Sequence, residues 1–308
     1  MSEKMATRQA YGEILQELGE KNEDIVVLDA DLSKSTMTAQ FAAKYPDRFF
    51  NMGIAEQNLY GVAAGLALSG KTVFASTFAM FAAGRAFEIV RNSIGYTKAN
   101  VKVCATHAGI TVGEDGGSHQ SVEDIALMRS IPGMTVINPS DGMSAKKLIE
   151  QAAAINGPVY VRLGRAAVPG IYEADSKIEI GKGMCVKDGS DYTVIATGIM
   201  VNEAMIAAET LEKEGISLRV IDIHTIKPID KEIIIKAAKE TKGIVTAEEH
   251  SVLGGLGSAV SEVVVQNCPT KMVFVGLQDT FGESGKPAEL LKKYGLTADA
   301  IAAAVKSL

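Results

Sequence analysis

Short apolar runs alternate with longer amphipathic stretches along most of the chain. DIVVLDAD, KTVFAST, VKVCATH, MTVINPS and VYVRLGR read as strands, and QNLYGVAAGLALSG, MFAAGRAFEIVRNSI, SVEDIALMRSI and SAKKLIEQAAAIN read as the helices between them. Apolar residues occupy successive positions in these runs rather than every second one, as in strands covered on both faces. The pattern therefore predicts a parallel sheet flanked by helices. Between Ala166 and Ser190 the chain turns glycine-, proline- and charge-rich, and the rhythm breaks. It resumes with YTVIATG, MVNEAMIAAETLEKEG, SLRVIDI, KEIIIKAAKETKG, IVTAEEH, SAVSEVVVQN and KMVFVGL, a second and smaller α/β unit. Two terminal helices follow, split by Gly295 with Thr297 as N-cap of the last. The expected organisation is an α/β domain at 1–165, a linker at 166–189 and a second α/β domain at 190–308.

Length agrees with two cores, since 308 residues exceed one ordinary domain. The 31 basic and 37 acidic residues give a net charge of −6, which offers no footprint for nucleic acid or an anionic membrane surface. No apolar run is long enough to span a bilayer, and the N-terminus lacks the pattern of a signal peptide. Three widely separated cysteines form no ligand spacing. Together these features predict a reduced, cytoplasmic protein with a small molecule or another protein as partner.

In an open parallel sheet, ligands bind beyond the carboxyl ends of the strands. The runs end on Asp29 and Asp31, on Ser76, Thr77 and Phe78, on Thr106 and His107, on Asn138 and Ser140, and on Arg162 and Arg165. The loop GEDGGSHQS, 113–121, follows His107 and must share that edge. It lacks the lysine of a phosphate-binding P-loop, and GESGKPAE at 282–289 fails the same test by its spacing and by the proline after Lys286. His119 has no Cys or His at zinc-ligand spacing, and Glu114 and Asp115 point different ways, so no metal is expected on this chain. A turn accounts for the glycines, and Ser121 with Asp124 fits a capping box. Neither accounts for Asp115 and His119 at the mouth of a sheet. Arg162 and Arg165 read as solvated or as structural ion pairs.

GIAEQN at 53–58 places Glu56 in the first turn of a helix with small residues on every face, which suggests an interface and a buried acid. Phe78 and Phe81 fill a core or form an apolar slot for a flat ring. GGLGSAVSE at 254–262 reads as a tight turn with close helix packing, and Glu248, Glu249 and His250 as a solvated turn.

GIAEQN, STFAMFAAGRA, THAGITVGEDGGSHQSVEDIALMRSIPGMTVINPSD and VYVRLGR together closely resemble the carboxyl-terminal half of transketolase, over essentially the whole chain. The resemblance implies a pyrimidine-binding domain followed by the family's C-terminal domain. It further implies an enzyme of the pentose phosphate pathway that uses thiamine diphosphate to move a two-carbon ketol unit from a ketose phosphate to an aldose phosphate. Glu56 occupies the position of the glutamate that hydrogen-bonds the aminopyrimidine. Phe78 and Phe81 match the aromatics around that ring, and Asp31 a residue near the cofactor at the subunit interface. His107 and His119 match the histidines beside the reacting carbons, Asp115 the acid that reads a sugar hydroxyl, and Ser35 and Arg165 the contacts to substrate phosphate.

No GDG motif, which in the family holds Mg²⁺ (or Ca²⁺) and the diphosphate, occurs here. The expectation is a split transketolase whose amino-terminal subunit, carrying that motif, is a separate polypeptide, with the two chains forming a heterotetramer inactive without the partner. The β subunit of a 2-oxoacid dehydrogenase, half of a deoxyxylulose phosphate synthase, and a non-catalytic assembly module are the alternatives.

Overall fold

The computed structural model describes residues 4–308. Seven strands form the first sheet, in the order Thr225–Lys227, Thr135–Ile137, Val159–Arg162, Val101–Thr106, Thr72–Phe78, Ile25–Asp29 and Phe49–Asn51. All neighbours run parallel except the first pair. The four strands Val159–Arg162, Val101–Thr106, Thr72–Phe78 and Ile25–Asp29 are buried at every position because each feeds two cores. Ile25, Val27, Phe74 and Cys104 pack with Tyr11, Leu15 and Leu148 from helices Thr7–Lys21 and Gly142–Ala154. The alternating Val26, Leu28, Val73 and Val103 pack on the opposite face with Leu59, Tyr60 and Ala63 from helix Glu56–Leu68. The two-residue period of a strand thus divides one apolar run between two layers.

A second, five-stranded sheet has the order Met272–Leu277, Ile244–Ser251, Tyr192–Ala196, Leu218–Asp222 and Met184–Lys187, the last pair antiparallel. Helices Met200–Glu212 and Ala298–Lys306 cover one face, and Lys231–Glu240 and Leu256–Asn267 the other. The second core continues into the first through Ile221, Ile223 and Ile226. Thr297 caps the last helix, its hydroxyl accepting from Ala300 N at 3.3 Å.

The glycine-rich stretch after Arg165 is tied down along its length. Ala167–Val168 pairs with Met5–Ala6, the amides of Ile171 and Tyr172 donate to Asp141, and Met184–Lys187 joins the second sheet. The predicted helix MFAAGRAFEIVRNSI is largely π-helical, at Phe81–Arg85 and Val90–Tyr96, with Ala86 N donating to Phe81 O across five residues. Such widened turns occur mostly at functional sites. Among the described residues no helix is long and apolar enough to cross a membrane.

Candidate active site

The strand ends on the shared edge do not all point to one place. Phe78 and His107 stand together at the rim of the sheet, both nearly buried. The His107 ring lies on Phe78 with centroids 3.9 Å apart, and Phe78 is nearly parallel to Phe81, at 13° and 6.3 Å. His119 stands edge-on to Phe81 at 5.5 Å, closing a four-ring wall. Arg85 lies over the Phe81 ring, 4.6 Å from its centroid, and Nη1 donates to Glu56 Oε2 at 2.9 Å. Glu56 is buried as expected, at the first position of its helix. Glu56, Arg85, Phe81, Phe78, His107 and His119 therefore form one contiguous set.

His107 adopts φ +58°, a left-handed conformation costly for a non-glycine residue, at the end of its strand. Nδ1 lies 2.9 Å from Thr106 Oγ1. Burial first, then the charges of Arg8, Arg165 and His119, push its pKa down to about 3, so the ring is neutral at any working pH. Arg8 also donates to Ser35 O at 2.6 Å, and Arg165 reaches Glu114 at 3.3 Å and Val112 O. Arg8 and Arg165 thus border His107 with positive charge, and Ser35 is tied to Arg8 through its carbonyl. Asp31, exposed at φ +65°, accepts from Asn51 Nδ2 at 2.9 Å. Asp115 is exposed on the glycine loop, whose turn rests on φ +76° at Gly116, and its carboxylate has no partner among the described residues.

Arg8 and Arg85 were not among the residues expected from sequence. Arg8 carries a signal: it sits in the first turn of Thr7–Lys21, where a positive charge opposes the helix dipole and no acid balances it.

Two expectations are corrected, and a third is narrowed. Ser121 and Asp124 form no capping box: the helix begins at Asp124 after Glu123 with no side-chain cap. Asp124 is instead fully buried, accepting from Arg162 Nε at 2.8 Å and Tyr160 OH at 2.7 Å. Arg162 is accordingly a structural ion pair and not solvated. Glu248, Glu249 and His250 are no solvated turn; they lie buried within strand Ile244–Ser251. Glu248 accepts the Leu256 and Gly257 amides at 2.6 and 2.8 Å, anchoring the helix that begins at Leu256 within GGLG, and a Cβ on Gly257 would lie 2.9 Å from Thr246 Oγ1.

Two family models divide the chain between them: the transketolase pyrimidine-binding domain matches residues 3–170, and the transketolase C-terminal domain matches 181–301. The chain belongs to the transketolase family. It is 56% identical to a putative transketolase C-terminal section of Methanocaldococcus jannaschii, over 96% of this chain and 93% of that one. It is 43% identical to a 6-deoxy-6-sulfo-D-fructose transketolase subunit of Clostridium sp. strain MSTE9, over 96% and 91%. A solved split-gene transketolase, an inactive β4 tetramer, shares 57% identity and superimposes with a TM-score of 0.93, covering 98% of both chains. The transketolase chain therefore matches separate C-terminal sections along nearly their full length.

The residues present suit part of the family's cofactor. A parallel aromatic pair with a buried carboxylate at one end fits a flat, basic heterocycle. Among the described residues no group of three or more Cys, His, Asp or Glu converges as a metal site.

Proposed function

We propose that this chain is the carboxyl-terminal subunit of a two-chain, thiamine diphosphate-dependent transketolase that moves a two-carbon ketol unit between sugar phosphates. The observation that carries the reading is the continuous set from Glu56 through Arg85 to Phe81, Phe78, His107 and His119. Thiamine diphosphate, when bound, supplies the carbon nucleophile and the electron sink for cleaving the carbon–carbon bond.

In this reading Phe78 and Phe81 hold the aminopyrimidine, and Glu56 holds a proton at its ring nitrogen. Asp31 borders the cofactor where the subunits meet. His119, half-exposed on the glycine loop, donates to and moves protons at substrate oxygens. His107 orients an oxygen by hydrogen bonding and, being neutral, adds no charge. Asp115 accepts from a sugar hydroxyl. Ser35, Arg8 and Arg165 receive the phosphate end, guanidinium groups being suited to phosphate oxygens. The diphosphate and Mg²⁺ (or Ca²⁺) are assigned to an amino-terminal subunit carrying GDG.

Helix Glu56–Leu68 supports association. Its Gly61 and Gly65 face open space, and Ile54 beside it is 79% exposed. An assembly of two copies of each chain places a complete site at each of two symmetric contacts. Purified chain should bring about no ketol transfer alone with thiamine diphosphate and Mg²⁺. Titration with the amino-terminal subunit should restore transfer, saturating at equimolar chains. Full transfer by this chain alone rejects the reading. A donor panel that includes 6-deoxy-6-sulfofructose beside ordinary ketose phosphates identifies the substrate.

A further inference from the structure

The loop carrying Asp115 and His119 is shaped by the second domain. Glu249 Oε1 accepts the Thr111 amide at 2.7 Å, and a Cβ on Gly109, at φ +80°, would lie 2.2 Å from the Glu249 carboxyl carbon. The acid thus fills the place of a side chain at the loop's start. At the other end, buried Gln120 donates through Nε2 to Ile110 O at 3.1 Å and to Glu283 O at 2.9 Å, joining both arms of the loop to the 282–285 turn. Ser284 Oγ donates to Glu114 O at 2.6 Å, next to Asp115. Between these ties a Cβ on Gly117 would lie 2.7 Å from Gly282 O, so the two backbones meet at glycine distance.

We propose that Glu249 and the turn Gly282–Ser284 are positioning residues that set where Asp115 and His119 stand for the sugar substrate; this rests on the reading of the rim as a ketol-transfer site. Ile110 also packs into the second domain's apolar core with Leu277 and Leu290, but the ties nearest Asp115 and His119 are directed hydrogen bonds to loop backbone, so they fix position along the loop as well as adding stability. Glu249 is itself held from behind, its carbonyl accepting from Arg162 Nη2 at 2.9 Å. The GESGK stretch, unfit for phosphate, acquires a role as a mould, and the second domain a part in substrate recognition.

Ser284→Ala removes one exposed hydroxyl, and Glu249→Ala is paired with Glu249→Gln, which keeps the acceptor for Thr111. Amide hydrogen exchange of the full chain is read at 109–120. Steady-state kinetics of the assembled two-chain enzyme is read separately for sugar and for cofactor. Ser284→Ala and Glu249→Ala should speed exchange in the loop about tenfold and lower kcat/KM for the sugar about tenfold, a displaced reacting group being costly. Half-saturation by thiamine diphosphate should stay within about twofold, since Phe78, Phe81 and Glu56 are untouched, and Glu249→Gln should restore both readouts. Unchanged loop exchange in the folded alanine variants, or equal losses for sugar and cofactor, overturns the proposal. If the wild-type pair transfers no ketol unit, the functional reading fails; loop exchange in the chain alone still decides whether the mould exists.

Discussion

The rim and the seam between the domains use the same residue types at the same sheet edge, yet they treat them in opposite ways. In the seam, Asp124 takes two bonds from Arg162 and one from Tyr160, and Arg162 also donates to Glu249 O. Burial pushes the Asp124 carboxyl up, but Arg162 and His250 outweigh it and hold the acid below its usual range. At the rim, among the described residues, Glu56 has one ion-pair partner, Arg85, whose side chain is 50% exposed, and His119 has one hydrogen-bond partner, Ser118 Oγ at 3.0 Å. Saturation marks a group that holds the fold. A buried or half-buried group left short of partners marks one available to a ligand.

Swapping the damage breaks or sustains that contrast. Glu56→Ala should lower ketol transfer by the assembled pair about 10²- to 10⁴-fold. Stability should change by less than about 1 kcal/mol, because its cation is half in water. Arg162→Ala should do the reverse. It strands Asp124 in the interior, and chemical denaturation should report a loss of about 3–5 kcal/mol, with cofactor half-saturation of the remaining folded enzyme unaltered. Comparable stability losses in the two variants remove the distinction. A smaller effect belongs to His107: with its pKa near 3, it contributes no limb to the pH profile above pH 5. His107→Gln should scale kcat/KM down about tenfold without changing the profile's shape. A lost limb in His107→Gln contradicts the neutral assignment.

The strands and the rim loop were legible because their signals are local. Apolar runs of buried strands, Thr297 before the last helix, the aromatic pair and the glycines of GEDGG each speak within a few residues. The seam was not. TAEEH has the polarity of a turn, and distant partners make its burial tolerable: the Thr111 amide and Arg162, 87 residues before Glu249, and the helix amides that Glu248 accepts. Thr225–Lys227 crossing to pair with Thr135–Ile137 also lacks a local mark, since short parallel and antiparallel edge strands look alike in sequence. Arg85 was hidden for a related reason. It reaches Glu56 across 29 residues because the wide π-turn places it over Phe81.

Asp222 tests the seam at a place where its saturation fails. Oδ2 accepts from Ser140 Oγ at 2.6 Å and Tyr172 OH at 2.8 Å, while buried Oδ1 has no partner among the described residues. Burial, opposed by the two hydroxyls, pushes the pKa from 3.8 up to about 7. Because the folded value lies above the unfolded one, the stability this acid contributes is complete below pH 3.8. It is lost as pH rises through about 7, where the unfolded chain has long since released its proton. Asparagine keeps an acceptor for both hydroxyls and cannot ionise. Asp222→Asn should therefore match wild type, or fall slightly below it, at pH 5, and melt about 2–4 °C higher at pH 8 for each kcal/mol recovered. Circular-dichroism melts at the two pH values decide the matter. Curves that stay parallel mean that Asp222 is ionised in the folded chain, with its second oxygen paired, and the seam is then as saturated there as it is around Asp124.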